Sequence, residues 1–514
     1  MAQQLQSINL VAPAFKGINT EDSPIAQDPS FAEIADNAVI DKRGRIAARK
    51  GYTVITDDNT PLGTDPEPIR AIKEFRKDNG DSLIFSVGNN KIFKGDDTLN
   101  DVSTNVTITD DNWKMVNFND KMYFFQRGYD PLVYNETDEE VEAISVPYNT
   151  DFSTAPTVTP QGNEVLAAYG RLWVADFSGD KSTIYWSDLL IGHSFDTGTA
   201  GAINLSKVWP DGRDEIVALA AHNGLLIIFG KKSIVIYKGA EDPATMEIAD
   251  TVVGVGCVDR DTVQNIGTDV IFLSHTGLRS FGRTVQEKSM PISTLSKTIT
   301  KDIILETKTE GDFFRSVYSP EESFYLLSFI GRETTYCFDL RGQLEDGSFR
   351  ATRWPNTVFT AYERLDNGKL YLGTTEGISE YKGYQDNGEG YTFKYYSPSL
   401  TFGDPSKLKF IKKIKPTIIG TVNTSANIKF GYDFNDNYRS VPFVFPPSSI
   451  NVAEWGIAEF AIGEFTGSTL EITRKSLNAT GGGSTVVIGL EALINGSPLS
   501  LQEINIQALI GRTV

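Results

Sequence analysis

Histidine is almost missing from this sequence of 514 residues. The three histidines, His193, His222 and His275, stand far apart, and each lies beside a turn pattern. Hydrolases usually need a base beside the nucleophile, and zinc needs clustered histidine and cysteine. We therefore expect turn or surface positions for these side chains. The sequence predicts no catalytic residue, no cofactor and no metal site, and favours a protein that is not an enzyme.

Motifs that carry chemistry are also missing. The sequence has no G-x-S-x-G elbow, no phosphate-binding loop and no G-x-G-x-x-G fingerprint. The stretches 386–389 (DNGE) and 433–436 (DFND) are similar to fragments of calcium loops without their twelve-residue spacing, which favours turns. The 67 acidic residues leave open a facing pair of carboxylates of the kind that glycosidases use.

Long apolar runs and a basic leader are absent as well. No stretch approaches the length of about 18 apolar residues that a membrane helix needs, so we expect no membrane insertion and folding in a reducing cytoplasm. The two cysteines, Cys257 and Cys337, lie in apolar or aromatic surroundings. This pattern favours buried free thiols. The sequence alone leaves a disulfide between them open.

Basic residues are in deficit, with 48 Lys and Arg against 67 Asp and Glu and a net charge of -19. A protein that wraps nucleic acid needs a basic face, so this balance argues against that class. The deficit is uneven: residues 401–514 carry 10 basic against 9 acidic residues, and the first 400 carry 38 against 58. The excess acid therefore belongs to the first 400 residues.

What the sequence does have is a repeated β pattern. An apolar strand, a polar turn and a second apolar or aromatic strand recur seven times, with starts 38 to 54 residues apart. This spacing is near the period of propeller blades. The seven repeats are residues 83–95, 121–135, 171–187, 225–239, 270–283, 324–340 and 369–383.

The repeats predict an all-β protein with a six- or seven-bladed β-propeller over residues 66–390. A further apolar strand precedes several repeats, as at 69–75, so each unit is a three- or four-stranded meander. Closing such sheets into a ring leaves only short, protected edges. A pair of stacked sandwiches is the alternative architecture, although the regular period argues against it.

Different patterns flank the repeats. Residues 391–514 lose the period and contain long strands, which predict a C-terminal β-sandwich. Residues 1–65 are predicted to be an N-terminal extended segment with a β-hairpin at 37–52. Short helices are predicted at 31–38 (FAEIADNA) and at 294–305, where apolar residues follow a helical period.

One cationic cluster stands out in the C-terminal part. A strand with one solvated face explains its partly alternating pattern, since lysine also protects sheet edges against aggregation. The alternative is a docking face for an acidic neighbour, such as the propeller of the next subunit. The residues of this candidate interface are Lys407, Lys409, Lys412, Lys413 and Lys415.

Several segments together resemble one family of viral proteins. The sequence is similar to the tail nozzle, or tail tubular protein B, family of short-tailed bacteriophages over nearly its whole length. Each motif encodes strands and turns, and the order of the motifs is more telling than any one of them. The similar segments are 17–24 (GINTEDSP), 49–52 (RKGY), 170–189, 215–239, 270–281, 455–460 (WGIAEF) and 499–512.

This resemblance implies a structural virion protein. Its expected assembly is a homohexameric ring in the phage tail, below the portal–adaptor protein, that retains genomic double-stranded DNA and then conducts it during ejection. The expected partners are the other subunits, the adaptor, tail fibre or spike proteins, and DNA in passage without tight binding. The family implies synthesis in the host cytoplasm and supplies no catalytic residues to carry over.

Two other interpretations stay open at this stage. A tail-associated propeller that binds or depolymerises carbohydrate would use aromatic side chains as sugar platforms, with Tyr185, Trp186, Tyr395 and Tyr396 as candidates. These same side chains also suit a blade core. A cellular propeller scaffold that binds peptides on one face is the third interpretation.

Overall fold

The structure, a computed structural model, describes residues 5–57, 67–145, 158–287, 294–311, 313–421, 425–435, 437–444 and 470–513. Strands make up 51% of the structure and helices 7%, which confirms the all-β class. The N-terminal strands are β1 (Leu5–Leu10), β2 (Ile34–Asp36), β3 (Ala38–Ile40), β4 (Ile46–Ala48) and β5 (Tyr52–Val54).

The repeat region follows in chain order. Its first strands are β6 (Ala71–Arg76), β7 (Ser82–Gly88), β8 (Lys91–Lys94), β9 (Asn100–Asp101), β10 (Lys114–Phe118), β11 (Lys121–Phe125), β12 (Leu132–Asn135), β13 (Glu140–Ala143), β14 (Gly162–Ala168), β15 (Arg171–Phe177), β16 (Thr183–Trp186), β17 (Gly201–Asn204), β18 (Ile216–His222), β19 (Leu225–Gly230), β20 (Ser233–Lys238) and β21 (Glu247–Val253).

The second half of this region contains the helices. It comprises β22 (Gln264–Asn265), β23 (Val270–Ser274), β24 (Gly277–Ser280), α1 (Phe281–Glu287), α2 (Thr300–Glu310), β25 (Phe314–Ser319), β26 (Phe324–Phe329), β27 (Thr334–Gln343), β28 (Phe349–Pro355), β29 (Ala361–Arg364), β30 (Leu370–Thr374) and β31 (Gly377–Tyr381). Short 3-10 turns lie at Leu205–Lys207, Arg260–Thr262, Lys297–Ile299 and Ile330–Arg332.

Long strands complete the chain. They are β32 (Tyr391–Tyr396), β33 (Lys407–Thr421), β34 (Ser425–Tyr432), β35 (Arg439–Val444), β36 (Leu470–Arg474), β37 (Leu477–Asn478), β38 (Val486–Ile494) and β39 (Leu499–Thr513).

The predicted propeller is confirmed. Among the described residues, six four-stranded antiparallel blades are present: β6 to β9, β10 to β13, β14 to β17, β18 to β21, β25 to β28, and β29 to β31 with β5. The first strands of neighbouring blades adjoin one another around an axis, apart from those of the fourth and fifth blades. Between the fourth and fifth blades lies the three-stranded sheet β22 to β24, and the turn Arg260–Thr262 contacts both β18 and β25.

The turn chemistry explains why the repeats form hairpins. In the first repeat, Asn89 and Asn90 between β7 and β8 have φ of 53° and 55°. The turns that lead into the second and fourth repeats, Asn119–Asp120 and Asn223–Gly224, also have positive φ at both residues. Two successive residues with positive φ make the turn whose twist matches that of paired strands, and Asn, Asp and Gly adopt it most readily. Each of the seven sequence repeats contains a hairpin of one sheet, which is the central hairpin in the six blades and β23–β24 in the three-stranded sheet.

The sixth blade is completed from the N-terminal part of the chain. Strand β5 pairs antiparallel with β31, with Tyr52 opposite Tyr381 and Val54 opposite Ser379. The backbone N–H of Ile55 also donates to the carbonyl of Ile378 at 2.9 Å. The ring of blades is therefore closed by a strand that precedes all the others in sequence.

The predicted sandwich is formed by two sheets with a shared core. One sheet has the order β3-β4-β39-β33-β36, with β1 on β39 and β37 on β33. The other continues blade five, in the order β25-β26-β27-β28-β2-β32-β38-β34-β35. Side chains such as Ile418 and Ile506 of the first sheet and Ile488 of the second are fully buried in one cluster.

The predicted N-terminal hairpin is present, since β3 pairs with β4. The strands of residues 1–65 are shared between the sandwich and the sixth blade, and the division of the chain at residues 65 and 390 stays a prediction. The helix predicted at 31–38 is wrong, because β2 lies there and pairs with both β28 and β32. The helix predicted at 294–305 begins later, as α2, with Ile303 buried and Leu305 exposed.

Both cysteines are free and buried. Burial raises the pKa of the Cys257 thiol to about 12. The expectation of buried thiols is confirmed, and neither thiol is ionised at neutral pH.

Candidate functional site

The predicted docking lysines lie along β33, in the middle of a sheet. Strand β39 pairs with one side of β33, and β36 and β37 pair with the other. Lys409 is fully buried, and its Nζ donates to the carbonyl of Ser484 at 2.7 Å and to that of Asp404. Burial lowers the pKa of Lys409. The Lys409 ammonium therefore holds the backbone at Asp404 and Ser484 together.

The remaining lysines differ in how accessible they are. Lys407 pairs with the Asp404 carboxylate at 2.9 Å, and Lys415 is half-buried. Lys412 and Lys413 are exposed. The docking face therefore stays a prediction in which Lys412 and Lys413 are exposed and Lys407, at 42% side-chain exposure, is paired with Asp404.

A buried arginine lies where the propeller meets the sandwich. Arg49 is 2% exposed, and its Nη1 and Nη2 donate to the two carboxylate oxygens of Asp386 at 2.8 and 2.6 Å. Its guanidinium carbon lies 4.2 Å from the ring centroid of Tyr391 and 5.6 Å from that of Trp354. A bidentate pair with aromatic faces above it is a geometry that arginine alone supplies. We call this group the arginine joint.

The arginine joint connects three parts of the chain. Trp354 belongs to blade five, Tyr391 to the sandwich, and Asp386 to the turn between blade six and the sandwich. The turn expected at 386–389 is present, with Asp386 and Glu389 exchanging backbone hydrogen bonds of 2.8 and 2.9 Å. Nothing in the sequence indicated that Arg49 and Asp386, which are 337 residues apart, would form an ion pair.

The 17–24 loop fastens the N-terminal part to the propeller. The N–H of Ile18 donates to the carbonyl of Ala351 in β28 at 2.8 Å. The Thr20 hydroxyl donates to the carboxylate of Asp302 in α2 at 2.7 Å. A Cβ on Gly17 would lie 2.7 Å from the Ala351 nitrogen, so only glycine allows this approach.

Charged side chains from several blades meet at the propeller axis. Lys73 of β6 pairs with Glu363 of β29 at 2.9 Å, and Lys114 of β10 pairs with the fully buried Glu164 of β14 at 2.5 Å. Each pair joins neighbouring blades. Since an unpaired charge at such a site is costly, these pairs fix the relative position of the blades they join.

Arg315 extends this network to the turn between the fourth and fifth blades. Its Nη1 lies 3.0 Å from the Asp261 carboxylate, which belongs to the turn beside the three-stranded sheet. It also donates to the carbonyl of Thr360 at 3.1 Å. Sequence reasoning missed the axial residues, because their partners lie 50 to 290 positions away along the chain.

The aromatic candidates for sugar platforms lie mostly in the interior. Trp186, Tyr395 and Tyr396 are at most 8% exposed. Tyr185 is half-buried and packs edge-on against Phe177 with ring centroids 5.3 Å apart. Three of the four side chains therefore belong to the core of blades and sandwich.

Other kinds of site are absent from the described part of the chain. No group of three or more His, Cys, Asp or Glu side chains in that part could hold a metal ion. None of its helices combines the length and the apolar character needed to cross a membrane.

Among known proteins, the chain is distantly similar to propeller structures. No protein-family model matches the chain, and no curated protein matches it. The extracellular domain of the BT4673 one-component system from B. thetaiotaomicron is 13% identical with a TM-score of 0.41, over 65% of this chain and 40% of that one. PorZ of the type-IX secretion system of Porphyromonas gingivalis is 13% identical with a TM-score of 0.33, over 61% and 36%.

A smaller domain matches over most of its own length. The WD40 domain of Neurospora crassa Pan2 is 11% identical with a TM-score of 0.35, over 65% of this chain and 95% of that one. The chain spans about two fifths of the length of the first two structures. These similarities are too distant to bear on function.

Proposed function

We propose that this chain is the subunit of a tail nozzle in a short-tailed bacteriophage. Six copies form a ring below the portal–adaptor protein in the virion, retain the genomic DNA, conduct it during ejection and anchor tail fibres. The role is structural and involves no catalysis. This proposal rests on the resemblance to that family, in which similar segments follow one another in the same order along nearly the whole sequence.

The position of two of those segments supports it. The 17–24 loop fastens to β28 and α2, and residues 49–52 contribute the arginine joint and the beginning of β5. Residues 49–52 tie the propeller to the sandwich, and the 17–24 loop ties the N-terminal part to the propeller. A subunit that stays in place while DNA moves past it needs such ties, because force on one part must reach the other without unfolding either.

The charge of the chain suits a conduit. Duplex DNA carries one negative charge per about 1.7 Å of its axis, so a basic wall would hold it by counterion release. The first 400 residues carry 58 acidic against 38 basic residues, and we propose that much of this excess faces the lumen of the ring. A structure of the assembled ring with a basic inner wall would overturn this part of the proposal.

An ordered apolar loop is our candidate for contact between subunits. Leu189, Leu190 and Ile191 are 51%, 54% and 39% exposed. The loop is held in shape, because the N–H of Leu190 donates to Gly170 at 2.8 Å and the Asn119 side chain donates to the Leu190 carbonyl at 2.8 Å. A ring needs a patch of this kind that meets a different surface of the next copy.

The experiment is measurement of mass by sedimentation and mass photometry, for the chain alone and with portal–adaptor complexes. We expect a hexamer, or assembly into one on the adaptor ring. The L190D variant should stay monomeric, and L305D, which alters an equally exposed leucine on α2 at 56% exposure, should assemble. A chain that stays monomeric on adaptor rings contradicts the proposal. Cleavage of host polysaccharide by the chain would favour the carbohydrate-active alternative.

A further inference from the structure

A small cavity lies on the propeller axis, away from the arginine joint and the docking lysines. Its volume is about 190 Å³, and strands β6, β10, β25 and β29 and the turn Arg260–Thr262 contribute to its wall. We call it the axial cavity. Its charged lining residues are Arg70, Lys73, Lys114, Arg260, Arg315, Asp261 and Glu363.

The cations in this lining outnumber the carboxylates that neutralise them. Lys73 is paired with Glu363 at 2.9 Å, and Lys114 is paired with Glu164 at 2.5 Å. Asp261 must serve two arginines, since its carboxylate lies 3.0 Å from Arg315 Nη1 and 3.5 Å from Arg260 Nε. The carboxyl of Asp259 also interacts electrostatically with Arg315 and Arg260. Five basic side chains therefore meet four acidic groups here.

Arg260 has a donor without a partner. Its side chain is 3% exposed, and its Nη2 donates to the backbone and side-chain oxygens of Asn112, both at 3.0 Å. Its Nη1 is buried and has no hydrogen-bond partner among the described residues. A buried donor left unsatisfied costs about 1–3 kcal/mol, and more when it is charged. Such an atom in the wall of a cavity indicates an acceptor that comes from outside the chain.

Arg70 provides a second cation on the same wall. Its guanidinium carbon lies 5.3 Å from the ring centroid of Phe313. Its backbone is fixed at the start of β6, where the N–H of Arg70 donates to Val87 at 2.8 Å. This contact with the Phe313 ring restricts the Arg70 side chain, so a ligand would have less ordering to do.

We propose that the axial cavity binds a small oxyanion, either inorganic phosphate or a carboxylate, with Arg260 Nη1 as its buried donor and Arg70 as a second cation. The planar forks of guanidinium groups match the oxygens of both ions. The volume lies below the roughly 300–1,000 Å³ of pockets for drug-sized ligands, which favours a small ion over a nucleotide. The bound ion would neutralise the surplus charge that the blades bring to the axis.

The test is isothermal titration calorimetry on the full chain at constant ionic strength, with sodium phosphate, sodium acetate and sodium chloride in separate runs. We expect one saturable site per chain for phosphate, for acetate or for both. Saturation by phosphate alone assigns the site to phosphate, and saturation by acetate alone assigns it to a carboxylate. Absence of saturation by both ions, or equal heats with chloride, overturns the proposal.

Two variants locate the site. R260K keeps the positive charge but loses the planar guanidinium group. R70A removes a half-buried side chain, so it still tests the proposal if R260K fails to fold. Each should weaken binding about tenfold or more, the size expected for one charge-assisted hydrogen bond. K412A, which removes an exposed lysine of β33, is the matched control and should bind like the parent. Unchanged binding by R70A and R260K would place any anion elsewhere and contradict the proposal.

Discussion

At the scale of single residues, the arginine joint places a buried guanidinium between propeller and sandwich. Replacing Arg49 with methionine, R49M, removes the bidentate pair and leaves the Asp386 carboxylate, whose side chain is 23% exposed, without its cation. Breaking one partner of such a pair costs about 3–5 kcal/mol when both groups are buried. Because Asp386 reaches water, we expect a loss of about 3 kcal/mol in the free energy of unfolding, measured by urea denaturation.

K412M is the control for this prediction. It makes the same change of residue type at an exposed position, where the free energy of unfolding should shift by no more than about 0.5 kcal/mol. The double variant R49M/D386N should lose less stability than the sum of its single variants, since the two residues are in contact. An R49M chain as stable as K412M would show that the joint contributes nothing.

Asp111 gives a dependence of stability on pH. Burial raises the pKa of this carboxyl to about 6, although its Oδ1 accepts a hydrogen bond from the Asn90 N–H at 2.8 Å. The unfolded chain releases this proton near pH 4, and the folded chain holds it until about pH 6. Between these values the folded state binds more protons, so this group lowers stability as the pH rises.

The D111N variant should remove that loss. Its side-chain oxygen still accepts from Asn90, and no charge is buried at neutral pH. We expect D111N to be more stable than the parent by about 1 kcal/mol at pH 7 and to lose this advantage at pH 4. Urea denaturation at the two pH values measures the difference, with D211N at an exposed position as control. An equal difference between parent and D111N at both values would contradict the assignment.

At the scale of elements, the entry of β5 into the sixth blade depends on one glycine. A Cβ on Gly51 would lie 1.9 Å from the carbonyl oxygen of Gln385, a backbone atom that cannot move aside cheaply. We expect G51A to displace β5 from β31 and to lower the free energy of unfolding by about 3 kcal/mol, the upper part of the range for overpacking. Thermal unfolding measures this loss.

Gly342 is the matched position for that experiment. A Cβ there would lie 3.6 Å from the Arg350 side chain, an ordinary contact, and G342A should unfold close to the parent temperature. If G51A and G342A unfolded at the same temperature, the close approach at Gly51 would not matter for the blade.

The sequence was sufficient to predict those elements whose structure depends only on residues close together in the chain. Each central hairpin has its apolar strands and its turn residues within about 15 positions, so its pattern is complete in one window. Strand β5 is different, since only its pairing with β31, more than 320 residues later, makes it part of a blade. The helix predicted at residues 31–38 was wrong for the same reason. Their helical pattern is local, whereas strand β2 forms there because it pairs with β28 and β32.

The candidate sites also divide into features that local sequence predicts and features that depend on distant residues. Alternation along 407–415 predicted a strand with lysines on it, and that strand is present as β33. The burial of Lys409 depends on Asp404 and on the distant Ser484, and the axial cavity depends on residues from six elements. Neither could be predicted from local sequence, because the partners meet only in the closed ring.

At the scale of the whole molecule, one sheet joins the two halves. Strand β2 pairs with β28 of the propeller on one side and with β32 of the sandwich on the other. Hydrogen bonds across this sheet and the arginine joint connect the same two bodies at different points. For the proposed ring, this means that a fibre attached to one half would move the other half with it.

Closure of the ring by β5 has a consequence for the order of synthesis. A ribosome completes β5 more than 300 residues before it completes β31. At 5–20 residues per second the interval is roughly 15–65 seconds. Throughout that time the blades already synthesised cannot close into a ring, and β5 has no strand to pair with. The nascent chain is therefore most exposed to wrong pairing in the middle of its translation, and it is protected once residues 377–381 emerge from the exit tunnel.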